Sequence, residues 1–177
     1  MTSLAKRDGR MLLAGAIGIC VLTASSYVSV PLYPVPVTMQ TLAVLLVGVV
    51  IGPRAGALTV LSWLALSLGG APLLAGGGSG PGAFVGPTAG YLASFPIAAF
   101  LAGMLPRAES AVQHAILFAA MLGLHVLILF MGWLWLAGFV GPAAAMTGGV
   151  VPFLIGGVLK AALATAGCAL LPQRWRL

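Results

Sequence analysis

Pro152-Phe-Leu-Ile-Gly-Gly-Val-Leu-Lys160-Ala-Ala-Leu-Ala is an apolar run interrupted by one ammonium group. A run of this character reads as part of a membrane-crossing helix, which needs about 20 mostly apolar residues to cover a hydrocarbon core near 30 Å thick. An ionisable side chain at bilayer depth costs about 2.5–3.5 kcal/mol on insertion scales, so it marks a ligand or ion site by default. No acidic residue lies near Lys160 in the sequence to neutralise it. The simplest remaining partner is an anionic or strongly hydrogen-bonding ligand. The competing reading is that the flexible stem snorkels to the interface, a long reach from mid-helix.

Outward from this segment the apolar pattern recurs without the charge. The chain has 177 residues, 61% of them hydrophobic and 6% charged, with a mean hydropathy of +1.15. That is the composition of a polytopic membrane protein. The expected fold is all-α, a single membrane domain over residues 1–177 with six spans near 11–30, 38–52, 55–69, 87–105, 112–137 and 151–171. The second and third are short for a full crossing, so they recruit flanking turns or end below the surface. Lys6-Arg7-Asp8-Gly9-Arg10 resembles the start of a signal peptide, but apolar character continues to Val30 and further spans follow. An uncleaved first helix is expected. Cys20 and Cys168 lie in apolar segments at opposite ends and read as buried thiols, not a disulfide.

The net charge of +6 is topological and no nucleic-acid signal. A cytoplasmic N-terminus puts Lys6, Arg7, Arg10, Arg54, Arg107, Arg174 and Arg176 on the inner side and leaves the outer connections uncharged. Positive residues concentrate on the cytoplasmic side of membrane proteins, so both termini are expected in the cytoplasm and the chain in the inner membrane. Tyr27, Tyr33, Trp133 and Trp135 then ring the outer interface, with Trp175 at the inner one.

Catalysis finds little support. Gly76-Gly-Gly-Ser-Gly-Pro-Gly82 lacks the Gly-Lys-Ser/Thr ending of a phosphate loop, and no pair of intramembrane carboxylates exists. His114 and His125 share a helix face, but no acid or cysteine stands at ligand spacing, so packing or hydrogen-bonding histidines are expected and no metal. The stretch Leu68 to Phe84 is the longest irregular one. A loop of this length is functional or disordered, and its interspersed leucines fit a lid over an outward-opening cavity. Ala14 and Gly18 have the small-residue spacing that lets membrane helices approach closely, for internal packing or for a partner.

Polar side chains on the outer side are few. Thr38, Gln40 and Thr41 open the second span, while Thr88 and Tyr91 follow Gly86-Pro87 at the start of the fourth. Lys160 lies about nine residues, roughly 14 Å, inside the sixth. The three helices can converge on one cavity beneath the lid. Helix capping by Gln40 and Thr88, and interface anchoring by Tyr91, are the plain alternatives.

Pro34-Val-Pro-Val-Thr-Met-Gln40-Thr-Leu-Ala-Val, Gly52-Pro-Arg54-Ala-Gly-Ala, the glycine-rich loop, Gly86-Pro-Thr-Ala-Gly-Tyr91-Leu and Gly156-Gly-Val-Leu-Lys160-Ala, in this order, resemble the BioY family. Its members are the biotin-specific substrate-binding (S) components of energy-coupling factor transporters. The resemblance implies a six-helix S-component bundle that binds biotin near its outer face without being an enzyme or holding a cofactor. It further implies a transmembrane coupling subunit and cytoplasmic ATPases as partners, or solitary operation, with a homo-oligomer also open. Gln40, Thr88, Tyr91 and Lys160 match positions near the binding cavity, and Thr38, Gly86 and Gly157 complete the candidate ligand-binding set. Many members show Gly-Asp where this chain has Gly156-Gly157, so an acid that could balance Lys160 or bond the ureido ring is absent. A different small vitamin, a membrane-embedded enzyme acting on lipid intermediates, and a structural partner subunit are the alternatives.

Overall fold

The structure, a computed structural model, describes residues 2–106 and 108–170, with side chains described from residue 9 onward. The side chains of Lys6, Arg7 and Asp8, together with Arg107, Arg174, Trp175 and Arg176, lie outside the described residues, so the charge asymmetry rests structurally on Arg10 and Arg54, both exposed.

The chain is helical almost throughout. α1 (Thr2–Tyr27) leads into a hairpin of two short antiparallel strands, β1 (Ser29–Val30) and β2 (Val37–Thr38). α2 (Gln40–Ile51) and α3 (Pro53–Leu68) follow, then α4 (Pro81–Val85), α5 (Ala89–Met104), α6 (Ala111–Val140), α7 (Pro142–Gly149) and α8 (Leu154–Leu170). Among the described residues Gly9–Tyr27, Ala111–Val140 and Pro142–Leu170 are long and apolar enough to cross a bilayer, whereas Gln40–Ile51 and Ala89–Met104 are shorter apolar helices. At 1.5 Å per residue the 12 residues of α2 reach about 18 Å.

Several elements are not legible in the sequence as such. The strand pairing within 29–38, the short α4 inside the glycine-rich stretch and the separate α7 all read as connections. The fourth span starts at Ala89 because Gly86, Pro87 and Thr88 form a turn. The fifth runs on to Val140 and stops at Gly141, whose φ of 84° suits glycine. It opens with a capping box: Ser110 Oγ accepts from the Gln113 amide at 3.3 Å, and Gln113 Oε1 accepts from the Ser110 amide at 3.0 Å. Pro142 and Pro152 each stand at the start of a new helical piece, since a helix accepts proline most easily in its first turn. Cys20 is exposed on α1, a correction to its reading as a buried thiol.

α5 is the central helix and packs against α2, α3 and α6. Ala98, Ala99 and Ala102 are fully buried on it. A side-chain carbon on Gly48 would collide with the Ala99 carbonyl oxygen, so α2 and α5 touch backbone to backbone. Lipid tails are as apolar as leucine, so membrane helices associate through such close packing and not through water exclusion. Farther out, Trp63 stacks on Phe95 with ring centroids 6.5 Å apart and donates to Thr23 Oγ1 at 3.2 Å.

Candidate functional site

Helix starts and ends at one end of the bundle surround a cavity of about 230 Å³. From β2 and α2 it receives Thr38, Gln40 and Thr41; from α5 and the turn before it, Thr88, Tyr91, Leu92 and Phe95. Ile128 and Leu129 of α6, Phe153 and Lys160 complete the far wall, and Leu74, Ala75 and Gly78 cover it. The structure therefore brings together Thr38, Gln40, Thr88, Tyr91 and Lys160 from segments far apart in sequence.

Lys160 is 7% exposed, and its stem does not run to the lipid interface. Nζ donates to the Thr38 carbonyl oxygen at 2.7 Å and to Thr41 Oγ1 at 3.2 Å. A backbone carbonyl and a hydroxyl thus partner this amine within the protein. An ammonium carries three N–H donors, so a third remains for the cavity. A β-strand end supplies the carbonyl because the chain turns from β2 into α2 at Met39, leaving Thr38 O outside any helix. No motif in the sequence marks this carbonyl.

Beside it, Thr38 Oγ1 donates to Gln40 Oε1 at 3.0 Å and accepts the Gln40 amide at 3.3 Å. This leaves Gln40 Nε2 as a buried donor with no partner among the described residues. Thr88 is the N-cap residue of α5 but its side chain makes no capping bond. Tyr91 is 6% exposed, which sets aside interface anchoring. Its hydroxyl donates to the Gly149 carbonyl oxygen at 2.8 Å and its ring stacks near Phe153 with centroids 6.3 Å apart. The ring lies directly on α6 at Gly132, where a side-chain carbon would run into it.

Two candidates lie off the cavity wall. The Gly86 carbonyl accepts from Trp135 Nε1 at 2.9 Å, a contact that fixes the turn before α5. Gly157 is buried against α6, where a side-chain carbon would meet His125 Cβ at 3.9 Å. Both shape the site from behind. Sequence reasoning misses Phe95, Ile128, Leu129 and Phe153 as lining because, in a chain this apolar, nothing distinguishes a cavity wall from a packed core.

The cover is tied down. Ser26 Oγ, 2.7 Å from both the Leu73 and Thr23 carbonyl oxygens, shares its one hydrogen between them, and Tyr27 OH donates to the Pro72 carbonyl at 2.6 Å. The Ser67 carbonyl accepts the Gly80 amide at 2.7 Å. Between these ties, Gly76 and Gly77 hold φ values of 64° and 78° that other residues rarely adopt.

Chemically, the cavity offers a cation, an unpaired amide donor, a hydroxyl and aromatic walls, with no acidic group among its lining residues. That suits a small molecule with an anionic or carbonyl-rich end. His114 and His125 each place Nδ1 2.9 Å from a backbone carbonyl oxygen one turn back, on Ser110 and Met121.

Residues 1–176 match the family model described as BioY family. The chain is 38% identical over 149 residues to the "Probable biotin transporter BioY" of Pyrococcus horikoshii, covering 84% of this chain and 88% of that one. It is 36% identical over 165 residues to the "Biotin transporter BioY" of Rhizobium etli, with 83% and 87% covered. Among solved structures, the "S-component for biotin from an ECF-type ABC transporter" superposes with a TM-score of 0.80 at 24% identity, over 92% of this chain and 90% of that one. This last likeness concerns the fold.

Proposed function

The chain belongs to the BioY family, and from that premise we propose that it captures biotin at the outer face of the membrane for uptake. The observation that carries the reading is Lys160, a cation 7% exposed that faces a cavity without an acidic lining residue. Lys160, Gln40 and Thr88 bind the ligand's polar groups, while Tyr91 and Thr38 hold the wall in shape and Gly86 and Gly157 set the backbone around it. The cavity volume of about 230 Å³ falls below the roughly 300–1,000 Å³ typical of pockets for drug-sized ligands. A small vitamin suits a cavity of this size.

Binding without chemical conversion is the role that membership of a family of transporters supports. This sequence holds no nucleotide motif, so energy comes from a transmembrane coupling subunit with cytoplasmic ATPases, unless the chain operates alone or as a homo-oligomer. Exposed Arg10 and Arg54 at the ends opposite the cavity favour cytoplasmic termini in the inner membrane, with residues 1–177 acting as one membrane unit. The test is equilibrium binding of radiolabelled biotin to the purified chain in detergent, with thiamine and riboflavin as competitors. Saturable binding displaced by biotin alone is expected. Absence of saturable binding removes the reading, and displacement by another vitamin reassigns the ligand.

A further inference from the structure

A second hollow, of about 480 Å³, opens between α1 and α2. Its walls are Leu13, Ile17 and Val21 of α1 with Leu46 and Val50 of α2, and Arg10 is its one charged lining residue. Arg10 is exposed and stands at the start of the apolar stretch Gly9–Tyr27. From Arg10 to Val21, α1 advances about 16 Å at 1.5 Å per residue. That is close to half of a hydrocarbon core near 30 Å thick. The groove therefore has the depth of one lipid leaflet, with a cation where a headgroup lies. Among the described residues none lines both this groove and the cavity that holds Lys160.

The floor and the walls decide what fits. Gly18 is buried, and a side-chain carbon there would meet Thr59 Cγ2 at 2.9 Å and Ile51 Cδ1 at 3.2 Å. The small residue at this position thus serves the packing of α1 on α2 and α3, and it leaves no bare backbone for a further helix. Membrane helices associate through close, matched packing. Here large exposed side chains, Leu13, Ile17 and Val21, flank an unfilled space instead. A flexible hydrocarbon chain takes the shape of such a space; a rigid helix does not. At the charged end, a guanidinium presents a planar fork of donors that matches a phosphate. One molecule that carries both a phosphate and an acyl chain satisfies the arginine and the walls together.

We propose that the groove between α1 and α2 binds one phospholipid with an anionic headgroup, its phosphate on Arg10 and an acyl chain along Leu13, Ile17 and Val21. An anionic headgroup is preferred because a zwitterionic one brings its own cation beside the phosphate. On the topology proposed above, the lipid belongs to the cytoplasmic leaflet.

The test is native mass spectrometry of the delipidated protein in detergent, titrated with phosphatidylglycerol, with phosphatidylcholine of the same acyl chains, and with glycerophosphoglycerol, the headgroup alone. The proteins are the wild type, Arg10→Gln, Ala14→Phe and Arg54→Gln, with thermal melting to report folding. The wild type is expected to hold one phosphatidylglycerol about tenfold more tightly than phosphatidylcholine, the scale of one hydrogen-bonded charge pair. Arg10→Gln binds the two lipids alike, and Arg54→Gln, whose arginine lies outside the groove, keeps the preference. Ala14→Phe fills the hollow and weakens both lipids. The headgroup alone binds far more weakly than the lipid, because affinity grows with the apolar area buried.

A wild type without the preference overturns the proposal, as does an Arg10→Gln that retains it. Loss of the preference in Arg54→Gln as much as in Arg10→Gln reduces it to general surface charge and overturns it too. Headgroup binding as tight as that of the lipid makes the groove a free-anion site, with the same consequence. A dimer mass in the wild type that disappears in Ala14→Phe puts a second copy of the chain there instead of a lipid. None of these outcomes depends on biotin binding.

Discussion

α5 meets α2 at Gly48 and meets α6 at Tyr91, and the two contacts are made from opposite materials. At Gly48 there is no side chain at all, and a single added carbon would collide with the Ala99 carbonyl. At Tyr91 a large ring lies on Gly132 while its hydroxyl reaches the Gly149 carbonyl at 2.8 Å. The first contact sets backbone against backbone; the second beds a ring on a glycine, beside Gly90, where an added carbon would run into α6 at Trp135 and the Met131 carbonyl. One central helix thus packs closely on both neighbours and still presents Tyr91, Leu92 and Phe95 to the cavity.

The largest effect is expected where the packing has no slack. Gly48→Val puts side-chain carbon into the α5 backbone, which cannot yield as a flexible side chain does, and should destabilise by about 3 kcal/mol or more. Size-exclusion profiles and melting curves in detergent read this out; a monodisperse variant with unchanged melting would show that α2 and α5 do not touch as described. At the hollow, Lys160→Ala should weaken biotin binding about a hundredfold, close to 2.7 kcal/mol, the upper range for hydrogen bonds to a charged group. Its melting temperature should fall only modestly, because Thr38 O and Thr41 Oγ1 lose their donor, a smaller effect than the loss of binding. These two variants separate packing from binding most sharply.

Smaller effects refine the contrast. Tyr91→Phe keeps the ring on Gly132 and removes the bond to Gly149, at a cost of about 1 kcal/mol in stability, visible as a modest drop in melting temperature. An unchanged melting temperature would mean that the contact works by ring packing alone. Tyr27→Phe breaks the tie from α1 to the lid at Pro72, where the tyrosine is half exposed. Biotin should then dissociate about two- to threefold faster, from a loss of about 0.5 kcal/mol, with little effect on melting. Identical dissociation rates would place the restraint of the lid at Ser26 and Ser67 instead.

The helical membrane class is legible because apolar run length is a direct physical signal, and Lys160 stands out because charge is costly in hydrocarbon. Thr38, Gln40, Thr88 and Tyr91 can be singled out because polar residues are scarce on the outer side. What sequence does not convey depends on three-dimensional approach. The acceptor for Lys160 is the main-chain carbonyl of Thr38, and every residue has one. Phe153 and Ile128 look like any other core residue until a cavity opens beside them. His125 reads as a hydrogen-bonding histidine, which its Nδ1 is, but only coordinates show that Nε2 is left over. The hairpin at 29–38 is hidden by the prolines between its strands, which read as a loop.

The most direct test of the central claim is biotin affinity measured side by side on wild type and Lys160→Ala at matched folding. Tight, saturable binding by the wild type and a loss of about a hundredfold in the variant are expected. Equal affinities in the two proteins would place the biotin site somewhere other than this cavity.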